Sequence, residues 1–260
     1  MVDAKDSTAI REGDKRLVAK DVLRVFDDDD KGELVALHDF SLEAEHGEIV
    51  ALIGPSGCGK STFLRLVAGL DKAQGGTIEY GGDPIEGPSC NRGFVFQETN
   101  LYPWLTVEKN IAFGLKARSV YKQQKHRVQE MVDLMGLSGF EKSYPHQISG
   151  GMAARVAIAQ TFVQDPGNIL LDEPLSALGP VPRAGIQEIL KMRDRFKPII
   201  LMVTHDIEEA VYMADRIMVL TPRPGTNIGE IVVDMPHPRD RISPQFIEYR
   251  HAVMDMLQFD

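Results

Sequence analysis

One stretch constrains this chain more than any other: Gly54-Pro-Ser-Gly-Cys-Gly59-Lys60-Ser61-Thr62, which fits the pattern G-x-x-x-x-G-K-[ST]. Before it runs Glu48-Ile-Val-Ala-Leu-Ile-Gly54, short and almost continuously apolar, as a strand buried on both faces must be. After it, Lys60–Ala68 carries Phe63, Leu64 and Val67 on one helical face. A glycine-rich turn in that setting lets backbone N–H groups point inward around a phosphate, and the helix adds the positive end of its dipole. The candidate phosphate-binding residues are Gly54, Ser56, Gly57, Cys58, Gly59, Lys60, Ser61 and Thr62. Lys60 suits neutralisation of the β- and γ-phosphates of a nucleotide, and the Ser61 hydroxyl suits coordination of Mg²⁺.

The rest of the chain alternates strands and helices. Residues 17–26 and 34–42 are β-rich and flank a polar stretch, 27–32, that reads as a solvated hairpin tip. The run Asp27-Asp-Asp-Asp30 lacks the oxygen-ligand spacing of a calcium loop. Further buried strands are expected over 93–96, 168–172 and 198–204, and later strands over 217–220 and 230–234. A helix opens at Asp206 with a capping-box spacing to Glu209. This alternation implies a mainly parallel α/β sheet. Residues 106–164 differ: helix formers dominate 108–115, 122–135 and 153–163, so this third reads as a helical insertion. Ser243-Pro244 opens a terminal stretch, to residue 257, with an N-cap, Pro at the first helical position and apolar residues at helical spacing.

Composition narrows the partners. At 260 residues the chain allows one large domain or two small ones, and 43% hydrophobic residues are enough for a real core. No apolar run approaches the ~18–20 residues of a membrane helix, and the charged start, residues 1–16, reads as a polar tail without the apolar region of a signal peptide. Cys58 and Cys90 alone cannot build a disulfide framework or a four-ligand zinc site, so a reducing compartment is expected. A net charge of −9 argues against nucleic acid as a partner.

A second anchor is Ile169-Leu-Leu-Asp172-Glu173, an apolar strand ending in two acids. Such a strand end places one carboxylate back toward the phosphate site and the next at the sheet's carboxyl edge, where α/β proteins bind ligands. Asp172 suits the Mg²⁺ side, through water, and Glu173 suits polarisation of an attacking water.

Between the anchors lies Ile148-Ser149-Gly150-Gly151-Met152, followed by Arg155-Val-Ala-Ile-Ala159. This resembles the signature motif of ABC-transporter ATPases, and it stands just before the acidic strand, as in that family. Gln97, after Val95-Phe96, is similar to the family's Q-loop, and His205 in Val203-Thr-His-Asp206 to its switch histidine. Phe26 stands where the family places an adenine-stacking aromatic, more often Tyr. The resemblance covers residues 17–238. It implies a P-loop NTPase (RecA-like) parallel-sheet core over 17–97 and 165–238, an antiparallel β subdomain, a helical insertion over 98–164 and a C-terminal helical tail over 239–260. It also implies ATP and Mg²⁺ as cofactors, with Ser61, Gln97 and Asp172 on the metal. Lys60, Gln97, Glu173 and His205 would act in hydrolysis. Two subunits would pair head to tail, each ATP lying between one phosphate loop and the partner's Ser149, Gly150 and Gly151. Physically, Ser149 with two glycines ahead of a helix is a second anion-binding surface.

Leu101-Tyr-Pro-Trp-Leu-Thr-Val107, Met152, Pro222-Arg-Pro-Gly225 and Pro236-His-Pro-Arg239 resemble importer ATPases of the nitrate, sulfonate and taurine group. That resemblance implies integral membrane permease partners, an external substrate-binding protein acting indirectly, and a peripheral place on the cytoplasmic face of the inner membrane. Trp104, with Tyr102 and Leu105, either receives a partner helix or packs in the insertion's own core. Two positions depart from the family: Gly179 stands where the D-loop has Asp, and Gln160 where Arg is usual. The missing carboxylate leaves open an ATP-binding regulatory subunit with weak turnover. A soluble non-transport ABC ATPase is the other alternative, although no long coiled coil or second ATPase half is present.

Overall fold

A computed structural model describes residues 16–28, 32–98, 100–174 and 183–257. The first elements are β1 (Leu17–Asp28), β2 (Gly32–Ala44), β3 (Ile49–Ile53), α1 (Lys60–Ala68), β4 (Gly75–Tyr80), β5 (Asp83–Pro84) and β6 (Arg92–Val95). Helices α2 (Val107–Ile111), α3 (Phe113–Ala117), α4 (Tyr121–Leu134) and α5 (Gly150–Phe162) follow, then β7 (Asn168–Asp172) and α6 (Arg183–Phe196). The last are β8 (Ile199–Val203), α7 (Ile207–Met213), β9 (Arg216–Leu220), β10 (Asn227–Val232) and α8 (Pro244–Leu257). They fall into two compact units. One runs through Ser89 and resumes at Ile199; the other is Cys90–Pro198.

In the first unit β3 is central. It pairs in parallel with β8 and β9, and β10 adds an antiparallel edge, in the order β10-β9-β3-β8. Every residue of β3 and of β8 is buried, which is what two continuous apolar runs require of a sheet covered on both faces. The same unit holds the antiparallel sheet β2-β1-β4-β5, whose first hairpin forms where expected, Asp28 opposite Gly32. Strand β1 is irregular: its register with β2 shifts between Ala19 and Val25, a stretch that includes Asp21, which has φ 49° and donates its N–H to Ser41 Oγ at 2.9 Å. β4, β5 and α6 lie outside the elements expected from sequence.

Two helix ends in this unit follow their caps. Asp206 Oδ1 accepts from Glu208 N at 2.8 Å and Glu209 N at 3.1 Å, but the reciprocal half of the capping box is missing, because the Glu209 carboxylate takes the Thr204 hydroxyl instead. Ser243 Oγ accepts from Phe246 N at 3.3 Å at the head of α8. That helix is docked through buried Phe246 and Val253, and Arg250 reaches Glu208 on α7 at 3.2 Å. Arg239, quoted above only as part of a motif, is a structural anchor. Its buried guanidinium donates to Val211 O at 2.7 Å, Ala214 O at 2.6 Å, Met235 O at 3.0 Å and Val233 O at 3.1 Å.

In the second unit β6 and β7 pair in parallel, Arg92 opposite Asn168 and Val95 opposite Leu171. The helix expected over 108–115 is two short helices that share Ala112 as a cap. Helix α5 begins at Gly150, three residues before the apolar pattern does, because Ser149 caps it. Among the described residues no helix is long and apolar enough to cross a membrane.

Candidate nucleotide-binding site

The candidate phosphate loop, residues 54–59, lies between the carboxyl end of β3 and the start of α1 in the first unit. Gly59 shows why the pattern demands glycine. Its φ is 99°, and a Cβ there would lie 2.6 Å from Ala36 O and 2.7 Å from Leu37 Cδ2. Its carbonyl accepts the first bond of α1, from Phe63 N at 2.9 Å. Lys60 is 7% exposed and folds over the loop, donating to Gly54 O at 2.7 Å and Pro55 O at 2.9 Å. Its ammonium is thus held at the loop's centre by carbonyls, with Cys58 Sγ at 3.5 Å. Gly54, Cys58 and Gly59 are buried, Thr62 is half-buried, and Ser56, Gly57 and Ser61 are exposed.

His205 reaches the same edge by a different route. β8 runs parallel to β3, Leu52 lies opposite Val203, and Thr204 N donates to Leu52 O at 3.3 Å. His205 therefore leaves its strand beside the strand that leads into Gly54, exposed and directly ahead of the Asp206 cap. Phe26 is on β1, with the Arg24 guanidinium 4.1 Å from its ring centroid. Asp71 Oδ2 fixes Arg24 by accepting from Nε at 2.9 Å.

The second unit holds the hydrolytic candidates. Gln97 and Glu173 follow the adjacent parallel strands β6 and β7, and Gln97 Nε2 donates to Glu173 Oε2 at 3.0 Å. Glu173 has φ 47°, a left-handed backbone that a glutamate adopts at a cost of about 1–2 kcal/mol. Backbone strain of this kind concentrates where a side chain must be aimed. Asp172, the last residue of β7, is half-buried, as is Glu173. Ser149 caps α5, accepting from Met152 N at 3.3 Å, and leaves Gly150 exposed at the helix N-terminus. Thr161 Oγ1, near the other end of α5, meets Phe94 O on β6 at 3.5 Å. Twelve residues separate Ser149 from that contact, about 18 Å along the helix.

Trp104 does not pack in a core. It is 70% exposed, with Tyr102 5.6 Å from it, ring to ring, and Phe113 beyond at 4.2 Å from Tyr102. Buried Asn110 holds this loop: its Oδ1 accepts from Tyr102 N at 2.8 Å, and its Nδ2 donates to Tyr102 O, Leu105 O and Thr106 O at 3.2, 3.0 and 3.1 Å. An asparagine inside a short helix is a poor helix former, and that was the available signal. Gln160 lies half-buried on α5. Gly179 and its neighbours Ser176, Ala177, Leu178, Pro180 and Pro182 lie outside the described residues.

A sequence model of the family described as ABC transporter matches residues 37–176. An uncharacterised ABC transporter ATP-binding protein of Methanocaldococcus jannaschii is 45% identical over 86% of this chain and 84% of its own length. An aliphatic sulfonates import ATP-binding protein of Bacillus cereus is 44% identical over 88% of this chain and 90% of its own. Among solved structures, a dimeric bacterial ABC transporter cassette superposes with a TM-score of 0.73 at 29% identity, over 85% of this chain and all of that one. A dimeric post-hydrolysis state of such a cassette, bound to ADP and Pi, gives 0.72 at 28% identity over the same shares.

Proposed function

We propose, starting from the fact that this chain belongs to the ABC transporter family, that it is the ATP-hydrolysing subunit that powers a membrane importer for a small sulfonate or a similar anion such as taurine or nitrate. The observation that carries the reading is the phosphate loop at the end of β3, with Lys60 gathered onto its carbonyls. The solute class rests on the sulfonate importer subunits that this chain resembles along almost its whole length.

Each residue then has a task. Lys60 and the N-terminal N–H groups of α1 would hold the β- and γ-phosphates of ATP, and Phe26 would stack on its adenine. Ser61, Asp172 and Gln97 offer hydroxyl, carboxylate and amide oxygens, the hard donors that Mg²⁺ takes beside nucleotide phosphates, so the donor set fits the ion. When bound, the ion would neutralise charge on the phosphate oxygens. Glu173 would orient the attacking water and take its proton, with Gln97 fixing one carboxylate oxygen. His205 would contact the γ-phosphate. Ser149, Gly150 and Gly151 would serve the ATP of a second copy, so that two chains close around two nucleotides; their distance along α5 from β6 supports that reading.

Exposed Trp104 and Phe113, bridged by half-buried Tyr102, support docking to permease subunits at the cytoplasmic face of the membrane. An external binding protein would deliver the solute. Co-purification through a tag on this chain tests the assembly: recovery of an integral membrane protein supports it, and recovery of the chain alone under mild detergent contradicts it.

A further inference from the structure

Residues 221–226 form a closed loop in the first unit. Thr221 N donates to Thr226 O at 3.0 Å, Thr226 N returns to Thr221 Oγ1 at 2.9 Å, and that hydroxyl donates to Pro224 O at 2.7 Å. The loop is pinned to β2, where Gly225 N donates to Ala36 O at 3.0 Å and His38 N to Gly225 O at 3.2 Å. It is also pressed against the phosphate loop. Gly225 lies so close that a Cβ on it would stand 1.9 Å from Cys58 O. From this platform Arg223 Nε donates to Gly57 O at 3.1 Å.

Gly57 sits at the exposed apex of the phosphate loop, at φ 79°, next to exposed Ser56. Its carbonyl shares a peptide plane with Cys58 N, which donates to Pro55 O at 3.3 Å. With Arg223 on the oxygen and Pro55 on the N–H, that plane is held at both ends. Lys60 tethers the base of the loop, through Gly54 O and the same Pro55 O, and does not reach the Gly57 carbonyl that Arg223 holds.

We propose that Arg223 is a positioning residue for nucleotide binding: by holding the Gly57 carbonyl it presets the exposed apex of the phosphate loop before ATP arrives. This rests on the reading of that loop as the ATP site. A loop that must order itself on binding gives up affinity, whereas the chemical step, carried by other residues, is unaffected. One hydrogen bond of ordinary net strength, its charge screened at an exposed position, sets the scale, a loss of about 3- to 10-fold in affinity.

The test uses the full chain with MgATP. Arg223→Ala is expected to raise the Kd and the KM for MgATP about 3- to 10-fold, with kcat at saturation within about 2-fold of wild type. Arg223→Lys, which keeps a donor and the charge, should recover most of the affinity. An unchanged KM in Arg223→Ala overturns the proposal, and so does a lowered melting temperature without nucleotide accompanied by an unchanged KM. Lys60→Ala separates the two levels. If it loses MgATP binding while Arg223→Ala does not weaken it, the Arg223 role alone falls; if Lys60→Ala binds like wild type, the reading of the loop falls with it.

Discussion

Glu173 allows charge and backbone to be tested separately. Glu173→Gln keeps the side-chain shape, the backbone position and an oxygen that can accept from Gln97 Nε2, now at 3.0 Å. It loses only the negative charge that orients water and takes its proton. A positioned general base contributes about 10²- to 10⁴-fold, so hydrolysis should fall by that factor, about 2.7–5.5 kcal/mol in the barrier. Folding stability should move by less than about 1 kcal/mol, since the half-buried side chain keeps its shape and an acceptor for Gln97. Glu173→Gly loses the same activity but relieves the φ of 47°. Relief is worth about 1–2 kcal/mol, and the lost Gln97 bond offsets about 0.5–1.5 kcal/mol, so this variant should be as stable as wild type or slightly more so. Phosphate release at saturating MgATP, size-exclusion of the ATP-bound form and chemical denaturation read all three quantities. Glu173→Gln should accumulate an ATP-bound dimer. A rate within about 3-fold of wild type in Glu173→Gln would refute the base assignment, and loss of more than about 1 kcal/mol in Glu173→Gly would refute the strain argument.

Lys60→Ala should abolish measurable MgATP binding by calorimetry, since backbone donors alone cannot replace the charge. Arg239→Ala strips four buried carbonyls of their donor; we expect a loss of about 3 kcal/mol, seen as a melting temperature lower by roughly 6–12 °C. Burial raises the Glu188 carboxyl above its ordinary value of 4.5, with its own backbone and the charges of Lys191 and Arg155 pulling the other way. A carboxyl raised in the folded state weakens folding as pH climbs from the unfolded value through the folded one, so Glu188→Gln should raise the melting temperature at about pH 7 and leave it unchanged at about pH 3. Gly179→Asp restores the carboxylate that the family carries in its D-loop and should raise the hydrolysis rate or its Hill coefficient in the assembled transporter; identical values would make the departure silent.

The elements legible in the sequence are those where one physical demand dominates. β3 and β8 are buried at every position, so composition alone marks them, and the phosphate loop follows because its glycines and lysine sit at fixed offsets from β3. β4 was hidden for the opposite reason. It begins Gly75-Gly76, residues with no strand propensity, and a Cβ on Gly76 would lie 2.2 Å from Lys20 O, so glycine serves close pairing with β1 rather than a pattern. In α6 the buried residues Ile186, Ile189 and Leu190 do keep helical spacing, but they are set among charged residues and follow the Pro-containing segment 180–182. In the site, motif spacing could nominate Gln97 and Glu173 but not their mutual bond, which depends on β6 and β7 being neighbours. Arg223 and Arg239 lie in motifs that the sequence marked only by resemblance, and the role of each was hidden because it works through backbone carbonyls brought near by the fold.

The most direct test of the importer assignment is solute uptake by proteoliposomes containing this chain with the permease that it brings down, the external solute-binding protein supplied on the solute side, and MgATP on the side that the chain faces. The wild-type complex is expected to take up a small alkanesulfonate in an ATP-dependent manner, and the Glu173→Gln complex is not. Wild-type ATP hydrolysis with no uptake of a sulfonate, taurine or nitrate above that of Glu173→Gln would contradict that assignment.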